Sequence, residues 1–208
     1  MFQTMKMTLL EAELKNLADR FSAIEEEKLK YTNLRIRYPH NMAFWYEVSF
    51  FRFKRAERCF TIDCNLSVYD NFYRYVLNSR QYINTSELTL RQMVELYNIY
   101  VDNLSHRGSL NQTFQVLYTC VHNIISSRFT FKRKDRLHRV QNSLTSTQAI
   151  LYFFNQVQYA DRQRKENKYL NSLYRYKFFE KMFESQEYKD MQNLIPIYVE
   201  KMFYKQEK

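Results

Sequence analysis

A single glycine occurs in the 208 residues of the chain, against an average usage near 7%. Glycine supplies the positive φ angles of tight hairpins and the close backbone approach that phosphate loops and dinucleotide turns require. Its near absence excludes the GxGxxG and Walker A classes. Three cysteines, Cys59, Cys64 and Cys120, are odd in number and have no paired CxxC spacing. They read as reduced core thiols, with no metal-ligand set beside them and no cofactor implied. The opening stretch MFQTMKMTLLEAEL has no apolar leader core, and no run approaches the roughly 18 apolar residues that span a bilayer. Together these absences predict an intracellular protein, cytoplasmic or nuclear, with no transmembrane segment.

Aromatic residues are what the chain has in excess. Tyr (18) and Phe (17), with a hydrophobic fraction of 45% and 26% charged residues, argue for a folded chain with an aromatic core. The length suits one domain, residues 1–208, and is enough to bury a sizeable core. The net charge of +10 is unevenly placed. Residues 1–104 hold 14 basic and 13 acidic side chains, whereas residues 128–177 alone hold 12 basic and 3 acidic, a local +9. Charge concentrated in this way attracts phosphates or anionic lipid, where evenly spread charge would bear mainly on solubility.

Hydrophobic spacing predicts a mainly helical, multi-helix fold with a small antiparallel β meander near residues 33–64. Thr8-Leu9-Leu10-Glu11 reads as a capping box opening a helix over 8–31. Its apolar seam, Leu10, Leu14, Leu17, Phe21 and Ile24, repeats by three and four. Such a seam either docks on its own domain or mediates self-association into a homo-oligomer. Alternation at 34–38, 46–50 and 60–63 suggests short strands. Helices then follow near 68–80 and 87–104, the latter behind a Thr89-x-x-Gln92 signal, with Gly108 as a stop and Ser109 as the next cap. A further helix opens at Ser146 or Thr147. Two aromatic-rich helices, near 169–185 and 187–204, end the chain, with Pro196 placed to kink or split the second.

The candidate site is the pair of basic segments flanking the helix that opens near residue 146. In SRFTFKRKDRLHRVQ, residues 127–141, Arg128, Lys132, Arg133, Lys134, Arg136 and Arg139 surround Phe129 and Phe131, with Asp135 the single acid. Arg162, Arg164, Lys165 and Lys168 form the second segment. Cations of this density can neutralise phosphates, and phenylalanines that alternate with a threonine can stack on unpaired bases. Single-stranded nucleic acid is favoured, because such aromatics need exposed base faces. The plainer reading is a solvated loop with its phenylalanines turned inward. A peripheral contact with anionic membrane, or with an acidic protein, uses the same charge. Arg52, Lys54, Arg55 and Arg58 make a secondary cluster that could extend the same groove.

Arg133 to His138 and Arg35 to His40 both resemble the Arg-x4-to-6-His signature of HEPN-type nucleases. That resemblance implies a general acid–base role for His138 and a phosphate-holding role for Arg133. It stands as the third reading. The first is a non-catalytic protein that binds RNA or single-stranded DNA through the phosphate backbone, by compositional analogy suited to a viral nucleoprotein or matrix-like structural protein. The second is a structural or interaction subunit of a larger protein assembly.

Overall fold

The computed structural model describes residues 2–26, 34–39, 42, 47–49, 52–54, 58–83, 85–104, 107–127, 132–162 and 168–203, with backbone alone for 2–9, 26, 47–49, 52–54, 160–162 and 168. Among these residues the chain is mainly helical, as its patterning predicts. Helix α1 (Phe2–Glu26) precedes four short strands, β1 (Arg35–Arg37), β2 (Glu47–Ser49), β3 (Arg52–Lys54) and β4 (Cys59–Thr61). Nine helices follow: α2 (Val68–Asn78), α3 (Leu90–Asn103), α4 (Arg107–Ser126), α5 (Arg133–Asn142), α6 (Ser146–Arg162), α7 (Lys168–Arg175), α8 (Glu180–Glu184), α9 (Gln186–Met191) and α10 (Ile197–Phe203). The β region is antiparallel. Strand β1 pairs with β4, Arg35 opposite Thr61, and the β2–β3 pair, Glu47 opposite Lys54, lies between them in sequence.

Helix α6 is the centre of the molecule. Every residue from Thr147 to Val157 is buried, so no side of this stretch can face water and a shell must enclose it. Helices α2, α3, α8 and α9 pack against it. The Phe153 ring lies 5.1 Å from that of Phe203, 5.6 Å from Phe179, 5.8 Å from Phe183 and 5.9 Å from Phe154, all edge-on. Edge-to-face contact sets the positive rim of one ring against the negative face of the next, adding to the area each buries. Buried tyrosines anchor their hydroxyls on backbone: Tyr100 donates to the Val68 carbonyl at 2.6 Å and Tyr75 to the Arg37 carbonyl at 2.7 Å. The second of these, with the Tyr38–Tyr75 ring stack at 4.7 Å, fastens β1 to α2.

Turns are made without glycine. Between β4 and α2, Asn71 does the work: its amide nitrogen donates to the carbonyls of Asp63, Leu66 and Ser67, and its oxygen accepts from the Asp63 N–H at 2.8 Å. Thr89 and Gln92 form the expected capping box of α3. The same Thr-x-x-Gln arrangement opens α6, with Thr145 as the cap, one residue before Ser146. Lysines occupy the two left-handed positions, Lys132 (φ 69°) ahead of α5 and Lys177 (φ 51°) after α7. At the latter, the Phe178 N–H reaches the Leu173 carbonyl and the Lys177 N–H that of Tyr174, a helix ending that ordinarily takes glycine. Gly108, by contrast, is not a stop. It lies in the first turn of α4, exposed, with nothing within 4 Å of a β-carbon placed on it.

Helix α1 begins before Thr8, because nothing in residues 2–7 breaks a helix, so Thr8 lies inside the helix rather than at its start. Leu10, Leu17, Phe21 and Ile24 are buried, and Leu14 packs against the same core. Their partner is the chain itself: α1 lies on α4, with the Phe21 ring 5.6 Å from Tyr69 and 6.5 Å from Phe114. Of the two readings of this seam, docking on its own domain is the one the packing follows, and these five side chains do not form an outer surface for a second copy. At the C-terminal end the two long helices are divided, the first at Lys177 and the second by Pro196, whose carbonyl accepts from Val199 as α10 starts.

Two outcomes follow from this packing. Gly108→Ala should stabilise the fold by about 0.5 kcal/mol, since the helix accepts a methyl there and the unfolded chain loses freedom; a lower Tm for the variant would contradict it. Burial raises the hydroxyl pKa of Tyr38, Tyr75, Tyr97, Tyr152, Tyr169 and Tyr188 above the usual tyrosine value, and of the Cys120 thiol to about 12. The folded protein therefore holds protons that the unfolded chain releases, so stability is intact below the unfolded pKa values and falls as pH rises past roughly 10. Urea midpoints measured from pH 7 to 11 should drop at the alkaline end, and absorbance at 295 nm should show only part of the tyrosines ionising before unfolding.

Candidate nucleic-acid interface

Helix α5 presents the basic segment. Leu137, Val140 and Gln141 face inward as the helix lies on α4. Lys132, Lys134, Asp135 and Arg139 are exposed, while Arg133, Arg136 and His138 are half-buried. The outer side thus shows four cations, Lys132, Lys134, Arg136 and Arg139, around one acid. Among the described residues no carboxylate pairs with Lys134, Arg136 or Arg139. Arg133 has a different use. Its guanidinium donates to the Ser127 carbonyl at the end of α4 and, at 3.4 Å, to the Tyr176 hydroxyl.

That last contact places the end of α7 beside the start of α5 and adds a cation, the exposed Arg175. Arg175 was not singled out in the sequence, although it falls within the basic stretch 128–177. At the other end of α7, Tyr169 lies 4.5 Å from Tyr118 of α4, ring to ring. Helix α7 thus meets α4 at its first turn and α5 just past its last, a span of about 12 Å for its eight residues. The second basic segment meets the fold at the far end of this helix, with Arg162 the last residue of α6 and Lys168 the first of α7. Arg128, Phe129, Phe131, Arg164 and Lys165 lie outside the described residues. In the secondary cluster, Arg52 and Lys54 are in β3, Arg55 lies outside the described residues, and the Arg58 guanidinium sits 4.7 Å over the Tyr82 ring.

For the nuclease-like arrangement, Arg133 is engaged with Ser127 and Tyr176, and the Nε2 atom of His138 is enclosed with no hydrogen-bond partner. No described hydrogen bond joins the two side chains. His40, of the other matching segment, lies outside the described residues. Comparison with protein-family models, with curated proteins and with solved structures finds no match to this chain. Among the described residues no helix is long and apolar enough to cross a membrane, and no group of three or more His, Cys, Asp or Glu could hold a metal ion.

The different uses of adjacent cations are measurable. Arg133→Ala removes the donor to the Ser127 carbonyl and should destabilise the fold by about 1–3 kcal/mol. Lys134→Ala should stay within about 0.5 kcal/mol, as expected of an exposed charge away from any contact. Urea denaturation of both variants checks this, and equal effects would mean that Arg133 does not hold the α4–α5 connection.

Proposed function

We propose that this protein binds RNA or single-stranded DNA, without catalysis, through the phosphate backbone. The observation that carries this reading is the cluster of cations on α5, exposed Lys134 and Arg139 with half-buried Arg136, and exposed Arg175 at the neighbouring end of α7, none paired with a carboxylate among the described residues. A nucleic-acid strand carries condensed counterions, and a protein that replaces them with Lys and Arg gains the entropy of their release. Leu137 and Val140, both buried, fix α5 to the core, so the cations stand on a preformed helix. A single strand is favoured over a duplex because Phe129 and Phe131 sit between the cations in sequence, where they could stack on unpaired bases. The compositional analogy with viral nucleoproteins and matrix-like proteins adds self-association to the proposal. With the α1 seam turned inward, a second copy would meet another surface.

The test is fluorescence anisotropy of a labelled 20-nucleotide RNA at several salt concentrations, with the parent protein and with a variant carrying Gln at Lys134, Arg136, Arg139 and Arg175. The parent's log affinity should fall linearly with log salt. In the variant the slope should be shallower by roughly 2–3, at about 0.7 per lost phosphate contact on a single strand. No binding by the parent at low salt would overturn the reading, and the same face would then serve the structural-subunit reading, docking on an acidic protein surface.

A further inference from the structure

Helices α3, α4, α6 and the start of α7 line a cleft of about 590 Å³. Four tyrosines line it, Tyr97, Tyr118, Tyr159 and Tyr169, with Asn155 and Gln156 of α6 in its wall. The two amides are notable because they sit in the fully buried stretch of α6, where an apolar residue would avoid the cost of taking a polar group out of water. They are held in series: the Gln156 amide nitrogen donates to the Asn155 oxygen at 3.0 Å, and the Asn155 nitrogen to the Tyr97 hydroxyl at 2.7 Å. The Tyr97 proton is not used in that bond and is available to an acceptor. Tyr169 is fixed by a 2.7 Å hydroxyl-to-hydroxyl bond with Tyr152. Among the described residues the cleft's one basic side chain, Arg107, is paired with Asp102 at 2.8 Å. So the lining combines flat aromatic faces with preset amide and hydroxyl edges and offers no unpaired cation.

We infer that this cleft receives one unstacked nucleobase of a bound strand. Its chemistry fits the neutral, planar part of a nucleotide: tyrosine faces stack on a base, and amides match the donor and acceptor pattern of a base edge. Among the described lining residues a phosphate would find no unpaired cation. The backbone belongs outside, at the mouth of the cleft where Tyr159 is exposed. The inference rests on the nucleic-acid reading and assigns the cleft as the element of that interface that recognises a base.

Tyr159 is the residue to change, because it is 44% exposed and its removal leaves the core intact. Tyr159→Ala should weaken binding of the 20-nucleotide RNA about tenfold, within the range for one stacked base, with the salt slope unchanged. Tyr159→Trp should restore the affinity, and an abasic oligomer should bind parent and Tyr159→Ala equally. If the parent binds RNA with the expected salt dependence but Tyr159→Ala changes nothing, the cleft assignment fails and the phosphate-binding reading stands. If the parent binds no RNA, the latter fails, and the cleft is judged by saturation-transfer NMR with free adenosine, cytidine, guanosine and uridine. Transfer abolished by Tyr159→Ala would keep it as a nucleoside site, and no transfer would overturn it.

Discussion

A helix that is buried on every side from Thr147 to Val157 exists only if other helices cover it completely. That requirement organises the chain. Helices α2, α3, α8 and α9 supply the cover, and the phenylalanines at 153, 154, 179, 183 and 203 meet edge-on where it closes. Short helices suit this task. Breaks at Lys177 and Pro196 let the C-terminal segment change direction around α6, which a straight helix could not do.

Enclosure of α6 also sets where charge can go. Positive charge has no place in an aromatic interior, where an unpaired cation is strongly disfavoured, and among the described side chains of the basic stretch it stands on α5 and at Arg175 at the end of α7. Arg133 is the instructive exception. It lies on the same short helix as Lys134, Arg136 and Arg139, yet its donors close the α4–α5 connection through Ser127 and Tyr176. A cluster that reads as uniform along the sequence is thus divided by geometry into one fold-holding arginine and several outward cations. The buried amides on α6 are the counterpart on the inside, polar groups retained at a cost that a ligand-accepting cleft would offset.

Much of the architecture was legible because local signals were strong. The apolar spacing of α2, α3 and α4, the Thr89–Gln92 box, the antiparallel character of the β region and the break at Pro196 are all properties of neighbouring residues. Signals read without their tertiary context went astray. The Thr8 box sits inside a longer helix, and Gly108, read as the stop after the 87–104 helix, lies instead in the first turn of the next one. At Thr8 the favourable local pattern was outweighed by a helix that nothing upstream prevents, whereas at Gly108 the stop had already come at Leu104, before the glycine. The amide pair and the four tyrosines of the cleft gave no signal, since they come from four helices and each alone looks like ordinary core.

By composition and periodicity, the chain alone determined a mainly helical fold, an aromatic interior and a basic stretch in its second half, since helical spacing and charge density are written in consecutive residues. Which face of α1 is satisfied internally, which arginine holds the fold, that Arg175 joins α5, and that Tyr97, Tyr118, Tyr159 and Tyr169 share one cleft were decided only by tertiary structure. These are contacts between residues up to 93 positions apart, and their pairing depends on how helices pack around α6, which no local pattern encodes.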